Sequence, residues 1–110
     1  MIDNVTKERV RGRREPNLIR GAKNNDLGEV KRAVHQRRDT LNKVEADTGF
    51  SALHYAVARG NLRIVTFLLE QDDIDLRIAD IHNREPLDLA VDVGHQGIVV
   101  ALLKARSKER

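Results

Sequence analysis

The chain is 110 residues long, the size of one small domain, and 40% of it is apolar. Phe50, Tyr55 and Phe67 are its only aromatic residues and it has no cysteine, so its core must be built from Leu, Ile, Val and Ala, and disulfides and thiolate metal sites are excluded. The net charge of +3 is carried by the ends: residues 1–14 hold five basic against two acidic side chains and residues 106–110 hold three against one, while the body between is slightly acidic. That distribution argues against a basic platform for nucleic acid. No apolar run approaches the ~20 residues of a membrane span, and Met1 to Val10 lacks the apolar segment of a secretory signal. The expected setting is intracellular and cytoplasmic, with the nucleus as the alternative.

Residues 1–14 are polar and aperiodic and read as a disordered arm. A nuclear-targeting or nucleic-acid role for Lys7 to Arg14 is disfavoured because Glu8, Val10 and Gly12 interrupt the basic cluster and no aromatics interleave it. Pro16 and Asn17 open a first helix, Pro being tolerated in the first turn, with Leu18, Ile19 and Ala22 on its apolar face. Asn24-Asn25-Asp26 breaks it and supplies an N-cap for a second helix. That helix carries Leu27, Val30, Ala33 and Val34 on one stripe and Glu29, Lys31 and Arg32 opposite.

Residues 35–50 form a connection with turn signals at Asp39-Thr40 and Asp47-Thr48-Gly49, and residues 42–50 have room for a hairpin. Ser51 caps a short helix through Leu53, Ala56 and Val57, which Gly60 ends. Asn61 caps the next, where Leu62, Ile64, Val65, Leu68 and Leu69 form a broad apolar stripe. An acidic turn, Glu70 to Asp75, leads into a second connection through Asp80 and Asn83, where Asn substitutes for glycine in a left-handed position. Pro86 begins a further helix, Gly94 ends it, and the last helix is expected over His95 to Ala105, with Arg106 to Arg110 running into solvent.

Residues 49–71 shifted by 34 positions land on residues 83–105 with eight of 23 positions identical: seven apolar residues, among them Leu53/Leu87, Val57/Val91 and Ile64/Ile98, and the glycine pair Gly60/Gly94. A shift of 35 brings the first helix pair onto the second at Leu18/Leu53, Leu27/Leu62 and Val30/Val65. A period in this range marks a repeat architecture whose units share one packing pattern. The first pair is the more polar copy, as a terminal unit should be.

The stretch GFSALHYAVARGNLRIVTFLLE over residues 49–70 resembles the ankyrin pattern G-x-T-P-L-H-x-A-A-x-x-G-H-L-x-I-V-x-x-L-L. Ile74-Asp75-Leu76-Arg77 with Asp80 and Asn83 is similar to that family's hairpin segment, and residues 83–90 with Gly94-His95 resemble the start of a late repeat. Ser51-Ala52 stands for Thr-Pro, Glu85 for Thr and Asp88 for His, so the family's threonine-to-histidine bond survives at best as Ser51 to His54. Gln96-Gly97 stands for Leu-Glu, and glycine there costs up to about 1 kcal/mol against alanine, which makes the last pair the expected weakest. The resemblance covers residues 15–105 and implies an all-α solenoid of stacked helix–turn–helix units with hairpin-like loops, divided at about 15–46, 47–80 and 81–105.

The sequence carries no enzyme signature. His35, His54, His82 and His95 lie singly, and His54 and His95 fall where the family uses histidine for structural hydrogen bonds. Neither Ser51 nor Ser107 sits in a nucleophile elbow, no phosphate-binding glycine loop is present, and Asp72, Asp73 and Asp75 lack calcium-loop spacing. No cofactor, metal or small-molecule substrate is expected.

The resemblance implies instead a protein partner bound along hairpin tips and first helices. The corresponding positions are Arg20, Lys23 and Asn24 in the first unit; Asp47, Thr48, Phe50, Tyr55 and Arg59 in the second; and Ile81, His82, Arg84, Leu89 and Asp92 in the third. Phe50 and Tyr55 lie off the aliphatic stripe: either they anchor a partner, as aromatics commonly do, or Phe50 folds onto its hairpin and Tyr55 onto the next helix. The alternatives to a protein-binding module are a self-associating or capping piece of a larger array, motivated by Val93, Val100 and Ala101, or an adaptor using the basic ends. A monomer is expected, with weak self-association as the alternative.

Overall fold

The computed structural model describes residues 15–109, so the basic arm and Arg110 lie outside the described residues. Within the described residues six α-helices follow in order: α1 (Leu18–Lys23), α2 (Leu27–Gln36), α3 (Ala52–Ala58), α4 (Leu62–Leu69), α5 (Pro86–Val93) and α6 (Gln96–Ser107), with a 3-10 turn at Arg38–Thr40. They pair into three helix–turn–helix units. Among the described residues there is no extended strand, and the hairpin-like excursion is reduced to one antiparallel bridge between Val44 and Ser51.

Local sequence sets each helix start. Asn17 Oδ1 accepts from Arg20 N at 2.8 Å, Asp26 Oδ1 from Glu29 N at 3.0 Å and Asn61 Oδ1 from Ile64 N at 3.1 Å. Each such cap is worth about 1 kcal/mol. The turn between the two helices of a unit uses one left-handed residue at the same register each time: Asn25 (φ 57°), Gly60 (φ 69°) and Gly94 (φ 75°). The hairpin tips share another, Gly49 (φ 71°) and Asn83 (φ 62°).

The units stack side by side: α3 packs on α1 and α5, and α4 packs on α2 and α6. The core runs through the stack as Leu18, Val30, Leu53, Val57, Ile64, Val65, Leu68, Ile98 and Leu102. The hairpin tips continue the register, with Ile81 N donating to Thr48 O at 3.1 Å. Asn42 ties the bases of the connections, donating to Asp73 O and accepting from Asp75 N, both at 2.8 Å. The ion pair Arg38–Asp73 (2.6 Å) also crosses between units, but both side chains are about half exposed. Such pairs are worth at most about 1 kcal/mol, so burial and not charge holds the stack.

The last helix is longer than expected and runs to Ser107. Nothing between Lys104 and Ser107 breaks it, Ala105 still packs on the core, and Arg106 turns toward Glu85 at 3.8 Å instead of entering solvent.

Gly49 and Gly94 both take left-handed backbone, but they differ in surroundings. A Cβ on Gly49 would meet Ile81 N at 2.8 Å and Asp80 Cα at 3.0 Å, whereas one on Gly94 would meet nothing within 4 Å. Gly94→Ala should therefore cost only the left-handed penalty of about 1–2 kcal/mol, and Gly49→Ala distinctly more. Urea unfolding of the two variants checks this, and equal losses would contradict the close approach at Gly49.

Candidate protein-binding face

Two hairpin tips and the first helices behind them build one continuous face, and its centre is the second unit. Gly49 turns the first tip back so that Glu45 N donates to Phe50 O at 3.0 Å and Gly49 N to Glu45 O at 2.7 Å. This places Phe50 against α3. Its ring stacks on His54 (centroids 5.1 Å, 18°) and meets Tyr55 edge-on (4.9 Å, 67°). Phe50 and Tyr55 thus lie against their own unit, and each remains partly exposed.

Tyr55 is held at its hydroxyl, which donates to Glu45 and lies 3.4 Å from Thr48 Oγ1. Lys23 reaches across from α1, 3.0 Å from the Glu45 carboxylate and 5.1 Å from the Tyr55 ring centre. The hydrogen bond from Tyr55, and then that from Lys23, hold the Glu45 carboxyl below its ordinary range, while the bond to Glu45 raises Lys23. Burial, followed by the bond to Glu45, raises the Tyr55 phenol. The outcome is a fixed, charge-balanced aromatic patch spanning the first two units.

His54 links this patch to the third unit. Its ring is fully buried. Ser51 N donates to Nδ1 at 3.2 Å, and Ser51 Oγ lies 3.0 Å from the same nitrogen. Nδ1 is therefore the acceptor, and Nε2–H donates to Arg84 O at 2.9 Å. The Ser51–His54 bond expected from the sequence is present, and its other nitrogen ties two repeats together. Asp88 fills the first half of that role in α5, accepting from Glu85 N at 2.9 Å. His95 caps α6, with Nδ1 accepting from Ile98 N at 3.2 Å.

In the second tip, Asp80 is buried and accepts from His82 N (2.9 Å), Arg84 N (2.8 Å) and Arg84 Nε (3.0 Å). Burial alone would raise its carboxyl, but these donors together outweigh it and lower it. Arg84 also lies 3.8 Å from Asp92.

The expected surface positions divide accordingly. Lys23, Thr48, Phe50 and Tyr55 converge in the patch. Asp47, Ile81 and His82 are exposed on the adjoining tips, Ile81 at 61%, and Asn24 and Arg59 are exposed at the C-terminal caps of α1 and α3. Arg84 is half-buried and committed to Asp80. Arg20 is engaged in a pair with Glu29, Nε donating at 2.8 Å, and is not free on the face. Leu89 is corrected: at 5% exposure it belongs to the core. It shares register with Tyr55 but lacks the ring and hydroxyl that carry Tyr55 outward to Glu45. Glu45 itself was missed, because it lies in the first connection and its counterpart 34 positions on is Ala79. Among the described residues, no group of three or more side chains is placed to hold a metal ion.

A family model described as ankyrin repeats (3 copies) matches residues 18–109. This chain belongs to the ankyrin repeat family. Potassium channel AKT1 of Arabidopsis thaliana is 44% identical over 63 residues, which is 57% of this chain but 7% of that protein. The likeness therefore concerns a small part of that relative. Ankyrin repeats serve generally as protein-interaction modules and are typically non-enzymatic. No described helix is long and apolar enough to cross a membrane.

The buried imidazole makes the ankyrin stack sensitive to acid. Burial, only partly offset by the Arg84 carbonyl, lowers His54 below its ordinary 6.5. As pH falls below that value the unfolded chain takes up a proton that the folded chain refuses, so stability is lost. Protonated Nδ1 would also face the Ser51 N–H it now accepts from. The melting temperature should fall between pH 7.5 and 5.5, and His54→Gln, though less stable, should lose that step. Glu45 and Asp80, both lowered, should add a separate loss only below about pH 4.5.

Proposed function

We infer that this chain binds a partner protein through the face formed by the two hairpin tips and the N-terminal part of α3. The observation that carries the reading is the Phe50–Tyr55 pair. Two of three aromatics are held half-exposed in one patch, fixed by Glu45, Thr48 and Lys23, so a partner meets a surface already ordered. Preorganised aromatics lose little side-chain freedom on binding and are common interface anchors. Ile81 and Arg59, exposed beside the patch, supply an apolar and a cationic contact. The partner is a folded protein or extended segment presenting an apolar side chain to the aromatic pair. An intracellular adaptor role suits a chain without cysteine.

The partner is to be captured by a photo-crosslinker placed at Ile81 and its affinity measured with purified components. Phe50→Ala with Tyr55→Ala should weaken binding tenfold or more, about 1.4 kcal/mol, at some cost in stability. Arg59→Glu and Ile81→Asp alter exposed positions and should weaken binding without moving the melting temperature. A partner that binds all of these variants undiminished contradicts the reading.

A further inference from the structure

The two ends of the stack are finished differently. In repeat register, the first unit places Arg20 and Glu29 where the second has Tyr55 and Ile64 and the third has Leu89 and Ile98. Arg20 Nε donates to Glu29 at 2.8 Å, and Asn17 N donates to the same carboxylate at 2.9 Å. A hydrogen-bonded charge pair therefore closes that end.

Among the described residues, the other end has no such closure. Leu87, Val91, Val99 and Leu103 repeat, 34 positions on, Leu53, Val57, Val65 and Leu69. The third unit covers most of the earlier set, leaving Leu53 at 1% and Val57 and Val65 at 0% exposure, with Leu69 partly buried. Among the described residues nothing covers the later set: Val91 is 60% and Leu103 51% exposed, and Leu87 and Val99 are only half-buried. Of the seven large exposed hydrophobics among the described residues, four lie on the two helices of this last unit: Val91, Val93, Val100 and Leu103. Leu87, Val91 and Val99, whose counterparts are wholly buried, and Leu103, whose counterpart Leu69 is partly buried, form a packing surface of the same kind as the interface one repeat earlier.

We propose that this end face docks on the same face of a second copy of the chain, giving a two-fold, tail-to-tail dimer. The face continues the interface between the second and third units in register and residue type, so it suits a pair of helices. The opposite end does not match it, because docking there would set Val91 and Leu103 against the Arg20–Glu29 charge pair and desolvate the partly exposed Arg20. A self-matching contact closes as a dimer. Arg106 continues the Val99–Leu103 stripe and pairs with Glu85 at 3.8 Å, so the rim offers one charge of each sign for exchange across the axis. The face is small: α6 is about 18 Å long, and two such helices bury less than the roughly 800 Å² per partner of a standard interface. The association is accordingly a low-affinity one, separate from the partner-binding patch.

Sedimentation of the full chain from low micromolar to near-millimolar concentration tests this. The average mass should climb from 12.5 kDa toward twice that. Val91→Asp with Leu103→Asp should abolish the climb while leaving the circular dichroism spectrum and melting unchanged, since both positions are exposed. The chain has no cysteine, so Val91→Cys introduces a single thiol. Val91→Cys chains should crosslink to one another with a short bismaleimide, and Arg32→Cys chains, modified at the other end, should not. A constant 12.5 kDa mass overturns the proposal. So does a climb that survives the double aspartate variant, or crosslinking only between Val91→Cys and Arg32→Cys chains.

Discussion

Helix α3 lies between α1 and α5, and Leu53, Ala56 and Val57 on it are 1% exposed or less. That sandwiching is what makes the chain a folded protein. A seven-residue helix such as α3 has almost no independent stability in water, and a helix pair alone leaves one apolar side open. Each unit becomes stable when its neighbours cover it. Among the described residues, the middle unit is covered by a helix pair on both sides. The polar ties that cross between units, His54 to Arg84 O and Asn42 to the Asp73–Asp75 turn, set the register of contacts that burial stabilises.

The same constraint explains where the candidate face arises. Stacking fixes the first helices in a row and projects the connections to one side, and the left-handed residues Gly49 and Asn83 turn both tips back alike. The tips then hydrogen-bond to each other through Ile81 and Thr48. Side chains there take chemistry particular to each unit: aromatic with Lys23 and Glu45 in one place, Arg84 with Asp80 and Asp92 in the next. The surface chemistry thus differs from tip to tip, while the scaffold that holds the tips repeats.

The architecture was legible in the sequence because one short pattern of apolar residues and left-handed turns recurs at a spacing of 34 to 35. Ser51, Asn61 and Gly94 announced helix ends correctly because capping depends on one or two adjacent residues. The candidate face was legible in part. Phe50 and Tyr55 stood out as aromatics off the aliphatic stripe, and Lys23 and Thr48 by register. Glu45 carried no signal, since its role depends on a tip geometry without a counterpart in the next unit. Leu89 was misread because register alone does not say whether a side chain is long enough to leave the core. The pairing of Arg20 was not legible because its partner Glu29 lies on the neighbouring helix, nine residues away. Arg106 was placed in a tail because basic composition resembles a solvated end, whereas the helix continues wherever nothing breaks it.

The central claim, that mutual covering of neighbouring units holds all three together, is tested most directly by comparing Leu53→Ala with Leu87→Ala under native-state hydrogen exchange. Leu53 is shut between units and Leu87 is only half-buried at the open end. Leu53→Ala should cost about 2–5 kcal/mol and lower amide protection in α1, α2, α5 and α6 as well as in its own unit, with Leu87→Ala costing clearly less. Protection lost in α3 and α4 alone, or equal losses from the two substitutions, would contradict the account.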